Sequence, residues 1–197
     1  MKRITALIAI ALACSCSKLP LQKSIDFNPK PLDPHQGVSC WEYISEEGNL
    51  SEMKAAIGIC GFEDYYRTPE HPCTWLLLDN TAFGSYILPK FGAGDISEIP
   101  VPDLKNILLF HIIRGEYSSY NGMLTYDPVH VITLWNDVNS VMTIKLNNDK
   151  TLSHKLQDKV TLMDQCGKST VVRATTSDLL MTNGPAHILS RPCEYVK

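Results

Sequence analysis

The sequence predicts an α+β fold, with helices gathered in its first half and a sheet built from its second. Three observations carry that expectation. The stretch Leu104 to Gly115 repeats its apolar residues at helical spacing, while beyond Gly115 the apolar pattern changes to period two. Asn121-Gly122 and Asn183-Gly184 supply turn signals among the β-rich runs. Helices first and strands later, with no internal repeat, argue for a sheet packed on helices.

In the central stretch, Leu104, Ile107, Leu108 and Ile112 share one face, and Leu109, Phe110 and Ile113 widen it. Asp103 stands where a side chain can accept bonds from the first N–H groups, and Gly115 can end the last turn. The predicted helix therefore belongs inside a core. His111 is the polar residue in the middle of its stripe, and a buried histidine with a backbone partner is commoner than a catalytic one.

Taken in order, residues 17–39 hold Pro20, Pro29, Pro31 and Pro34 among polar residues and read as an extended tether. Folding is expected from Cys40, where Trp41 and Ile44 suit a helical turn. Leu50, Met53, Ile57 and Cys60 then share a helical face, with Asn49 as cap, Glu52 three residues on, and Gly61 as stop. Pro69 and Pro72 make Thr68 to Cys73 a loop. Trp75 to Leu78 is wholly apolar and bounded by turn residues, a pattern for a buried strand. Asp79-Asn80-Thr81 offers cap oxygens to a helix opening at Ala82 and Phe83. Phe91 to Pro102 is irregular. Strand-like runs follow at Tyr117–Tyr126, Val129–Trp135, Val141–Leu146, Val160–Met163, Thr170–Ala174 and Ala186–Leu189.

Residues 1–16 read as a targeting segment outside the fold: Lys2 and Arg3, a short apolar run from Ile4 to Ala13, then Cys14, Ser15 and Cys16. The run is too short to span a bilayer. Cysteine directly after such a run resembles the lipobox of bacterial lipoproteins, so Cys14 or Cys16 is the expected lipidation site. The alternative is a plain secretory leader. The expected location is the cell envelope, lipid-anchored at the outer membrane, with the periplasmic or surface face left open.

Without the leader the chain carries 16 basic and 21 acidic residues, a net charge of −5, which gives no electrostatic case for nucleic acid or an anionic membrane surface. Export would make Cys40, Cys60, Cys73, Cys166 and Cys193 potential disulfide partners, with at least one left over. No Cys-x-x-Cys, His-x-x-x-His or Glu-x-x-His spacing suggests a metal, and no cofactor is expected. Gly167-Lys168-Ser169 lacks the first glycine of a phosphate loop, Leu162 standing in its place, and reads as a turn. There is no Gly-x-Ser-x-Gly elbow, and Gly92-Ala93-Gly94-Asp95 is no dinucleotide fingerprint.

Three segments in fixed order resemble the fasciclin-like domain, a family of extracellular adhesion modules. Thr74 to Phe83 looks like its strand-to-helix motif, with Leu78-Asp79 where a proline is usual. Leu104 to Gly115 is similar to its leucine-rich stretch ending in Tyr-His, here Phe110-His111. Ser177 to Leu189 is similar to its closing motif, with Asn183-Gly184 before the strand bearing His187. The resemblance implies one domain over residues 40–197, helices packed on a β-sandwich or wedge of mostly antiparallel strands. Phe83, His111, Asn183, Gly184 and His187 are then structural motif residues.

In some animal members an Asp-Ile pair at this place takes part in integrin binding, and Asp178-Leu179 matches it. The competing reading gives Asp178 a turn to cap and Leu179 a core to fill. Trp135, Tyr117, Tyr120 and Tyr126 are candidates for stacking on a sugar or anchoring a protein. The resulting expectation is a non-catalytic envelope lipoprotein that adheres or binds through protein–protein or protein–glycan contact. An accessory structural subunit of an envelope complex is the alternative. A hydrolase would need His111 or His187 beside an exposed Ser or Asp in a cleft.

Overall fold

The computed structural model describes residues 33–137, 140–147, 159–164 and 171–194. The chain joins the packed domain ahead of Cys40. Gln36 N–H donates to Leu180 O, Leu180 N–H to Pro34 O and Thr182 N–H to Val38 O, so residues 34–38 run as a short parallel segment beside a strand. Helix α1 (Cys40–Glu46) then opens on a capping box that the sequence reading missed, in which Ser39 and Glu42 bond reciprocally.

Helix α2 (Ser51–Cys60) follows a 3₁₀ turn at Gly48–Leu50 and buries Met53, Ala56, Ile57 and Cys60. Gly61 ends it at φ 68°, as expected. Its start is not capped by Asn49: the Glu52 N–H is taken by Asn80 Oδ1, 28 residues further on. After α3 (Glu63–Arg67) comes β1 (Cys73–Leu78), with all six residues buried. Asp79 Oδ1 accepts from Ala82 N–H and starts a helical run: α4 (Asn80–Ala82), a π turn (Phe83–Ile87) and α5 (Leu88–Phe91).

The central helix is α6 (Val101–Phe110), with Leu104, Ile107, Leu108 and Phe110 buried. It is shorter than its periodicity implies. His111 caps it, and Ile112–Arg114 turns outward as strand β2, pairing antiparallel with Cys73–Trp75. Two β-branched residues beside an unfilled strand edge gain more from the ladder than from another helical turn. Gly115 (φ 96°) leaves that strand rather than a helix, and Asp103 lies in the first turn without a cap bond.

The remaining strands are β3 (Val129–Ile132), β4 (Val141–Asn147), β5 (Lys159–Asp164), β6 (Val172–Met181) and β7 (Gly184–Leu189). Tyr117–Tyr126 is not a strand pair; it is an irregular loop. Among the described residues the order is β2-β1-β7-β6-β5-β4-β3, with β1–β7 parallel and the other neighbours antiparallel. A bridge between Ile113 and Thr133, with Leu134 N–H donating to Ile112 O, joins the two ends of the sheet. That protects both edges from stray pairing. The architecture is α+β.

The β6–β7 connection is tighter than predicted. Met181 pairs with Gly184, so the two turn residues are Thr182 and Asn183, and Gly184 is already strand. Gly184 has φ 124°, and a Cβ there would stand 2.1 Å from Cys73 O, so no other residue fits between the turn and β1. Asn183 is not in the left-handed region, because its side chain is pinned elsewhere. Its Oδ1 accepts from Cys40 N–H (2.9 Å), its Nδ2 donates to Tyr66 O (2.8 Å) and Arg67 O (3.2 Å), and its carbonyl accepts from Trp75 Nε1–H (3.2 Å).

Cys40, Cys60 and Cys73 are buried thiols, not disulfides. Each is packed within the core, and burial pushes the Cys40 thiol well above its ordinary range. Cys166 lies outside the described residues.

Gly184→Ala should cost about 3 kcal/mol or more through overpacking and backbone strain. Gly48→Ala, with nothing within 4 Å of the new methyl, should be nearly neutral. Urea midpoints of the two variants check this.

Candidate functional site

The site begins with the loop that replaces the predicted hairpin. Thr74, wholly buried on β1, donates its hydroxyl to Gly115 O (2.7 Å) and accepts from Tyr117 N–H (2.8 Å), fixing where the loop leaves the sheet. Asn121 Oδ1 accepts from Ser118 N–H (3.2 Å) and Met123 N–H (3.0 Å), while its Nδ2 donates to Glu116 O (2.9 Å). Ser118 Oγ accepts from Tyr120 N–H (3.1 Å). Leu124, 2% exposed, plugs the loop into the core. Asn121-Gly122 therefore does mark a turn, but one closed by side chains rather than by a strand ladder.

A second clamp comes from β6. Asp178 sits within the register shift between Thr176 and Leu179 in the β6–β7 pairing and has φ 59°, the one non-glycine residue with positive φ among those described. For an L-residue that conformation costs about 1 kcal/mol or more. It turns the carboxylate towards the loop, where Oδ1 accepts from Ser119 N–H (3.0 Å) and Oδ2 from Ser119 Oγ–H (2.7 Å). Asp178 N–H donates to His187 Nδ1 (3.2 Å), and His187 Nε2–H donates to Tyr117 O (3.1 Å). One imidazole thus ties a bulged strand to the start of the loop.

His111 has a matching arrangement. Its Nδ1–H donates to Ile107 O (2.7 Å), and its Nε2 accepts from Cys193 N–H (2.9 Å). Burial holds both imidazoles below the ordinary histidine value, His111 down to about 4. Protonating either ring would place an N–H against a backbone N–H.

Of the residues that the sequence singles out, Asp178 is 9% exposed and uses both oxygens on Ser119, and Leu179 is half-buried against the core. Phe83 is wholly buried, while His111 and His187 are 2% and 1% exposed. Asn183 is the second residue of the turn described above, and Gly184 is the first residue of β7. Cys14, Cys16 and Gly167-Lys168-Ser169 lie outside the described residues. The four candidate aromatics divide. Trp135 is buried edge-on to Phe110 and Tyr117 is half-buried, whereas Tyr120 (61%) and Tyr126 (54%) stand exposed with Met123 (54%).

Between this loop and the β6–β7 hairpin runs an open groove of about 310 Å³, lined among others by His35, Glu116, Tyr120, Leu180, Thr182 and Pro185. A water-sized cavity of about 30 Å³ lies beside His111, Tyr86 and Lys90. Sequence reasoning had no means of finding the groove, since its walls come from the loop, the hairpin and residue 35 before the predicted domain start. Among the described residues no cluster of three His, Cys, Asp or Glu side chains is arranged to hold a metal.

Ser119, Asp178 and His187 are neighbours but do not form a proton relay. The Ser119 hydroxyl bonds the carboxylate, and both imidazole nitrogens are occupied by backbone.

Among solved structures, a FAS1 domain pair from the insect cell adhesion molecule fasciclin I matches this chain with a TM-score of 0.58 over 79% of its length, at 12% identity. The fold is fasciclin-like. The chain spans 50% of that structure's length. No family model matches the sequence, and no curated protein does so.

The buried histidines predict an acid-sensitive fasciclin-like domain. Unfolded imidazoles titrate near 6.5 and His111 in the fold at about 4, so the unfolded chain binds more protons throughout that window. Stability fully present above pH 6.5 should be lost as pH falls through the window, by on the order of 3 kcal/mol from His111, with His187 adding in the same direction. Urea denaturation between pH 4 and pH 8 tests this, and His111→Gln should flatten the slope.

Proposed function

We propose that this chain is a non-catalytic adhesion or ligand-binding module of the cell envelope, moored by a lipid on Cys14 or Cys16 and acting by protein or glycan contact. The observation that carries the reading is the loop at Ser118–Met123. Hydrogen bonds from Asn121, Ser118 and Asp178 hold it still, yet its large side chains Tyr120 and Met123 point into water. A loop fixed in advance loses little further entropy on binding, and exposed aromatic and methionine side chains are what interfaces favour.

The fold likeness to a cell adhesion molecule supports the same reading, as does the leader ending in cysteines.

Two measurements test the proposal. Peptide mapping and intact mass of the protein from cells should find a mature chain beginning at acylated Cys14 or Cys16; an unmodified terminus elsewhere sinks the lipid anchor. The full chain, offered extracellular proteins and glycans, should retain a partner at micromolar concentration. A folded protein that retains none, but runs after crosslinking in a defined envelope complex, is instead an accessory subunit.

A further inference from the structure

The geometry points to a saccharide subsite in the groove between the Tyr117–Leu124 loop and the β6–β7 hairpin, with the Tyr120 ring as its stacking face. This rests on the binding reading above and names the ligand class. At about 310 Å³ the groove has the size of a small-ligand site, near the lower end of that range. It is open along its length, which suits a ring within a chain better than an enclosed small molecule.

Its chemistry is mixed in the way a sugar is mixed. One wall offers Tyr120, 61% exposed, as a flat apolar surface for the C–H face of a pyranose. Around it stand Glu116, Thr182 and His35, a carboxylate, a hydroxyl and an imidazole that match ring hydroxyls as acceptors and donors. Ionisable groups among the lining residues, Glu116 and His35, weigh against a protein hot spot, because protein interfaces deplete charge from their cores. Glu116 puts a carboxylate in the groove, and a second, Asp33, is bonded to the lining residue His35 (2.7 Å), so neutral or amino sugars are favoured over sulfated or uronic ones.

Asp178 enters as a positioning residue, not a contact. Its two bonds to Ser119 fix the residue next to Tyr120, and they require the left-handed backbone seen at no other described non-glycine position.

The test is a glycan array probed with the full chain in detergent, with bound oligosaccharides titrated by calorimetry. The wild type should bind at least one neutral or amino oligosaccharide. Tyr120→Ala should weaken that binding about tenfold, while Tyr120→Trp keeps it. Ser119→Ala should also weaken it and Ser119→Thr restore it, which a purely structural serine remote from the ligand would not do. The inference is overturned if the folded protein binds no oligosaccharide, binds only sulfated or uronic ones, or binds equally well as Tyr120→Ala. Capture of a protein partner with no sugar bound overturns it while leaving the binding reading intact; capture of neither removes both.

Discussion

The structure depends on the seating of one turn, Thr182-Asn183, against strand β1. The Asn183 side chain reaches the first amide of α1 and the last carbonyls of α3, and its backbone carbonyl takes the indole N–H of Trp75, so a single residue ties three elements together. It can do so only because Gly184 lets the hairpin press directly on the Cys73 carbonyl. Cys40, Tyr66 and Trp75 are buried residues, and an unmet backbone or indole bond there costs about 1–3 kcal/mol. The helical layer is thus oriented on the sheet by polar geometry, and the apolar core fills in behind it.

The two buried histidines extend the same logic. Each offers one ring nitrogen to a backbone N–H and donates the other to a carbonyl, and each joins segments distant in sequence: β6 to the loop at Tyr117, and α6 to the chain at Cys193. Neutral imidazole is the side chain that can donate and accept across two such groups at once. Using it this way closes the domain without charge, at the expense of tolerance to acid. The loop that carries Tyr120 is held by one of these links and by Asp178.

Much of this was legible beforehand. The burial of α6 and β1, the end of α2 at Gly61, the cap from Asp79 and most of the strands follow from periodicity and turn chemistry. The misreadings share a cause. Ile112 and Ile113 fit the helical stripe of α6, and only the free edge of β1 makes them strand. Asn49 looks like a cap, but Asn80 arrives from elsewhere to take the amide. Asn121-Gly122 looks like a hairpin turn, yet side-chain bonds and the clamp from Asp178 hold it as a loop. In each case a distant partner outbid the local preference.

The sequence by itself determined the class of the fold, the order of its elements and which of their faces are buried, because local periodicity and turn residues act over a few positions. Only the tertiary structure decided that Asp178 holds a loop, that Tyr120 stands in water while Trp135 is buried, and that a groove lies between that loop and the hairpin. Those outcomes depend on which segments meet, and that is set by packing and hydrogen bonding between residues up to a hundred or more positions apart, as Asn183 and Tyr66 are.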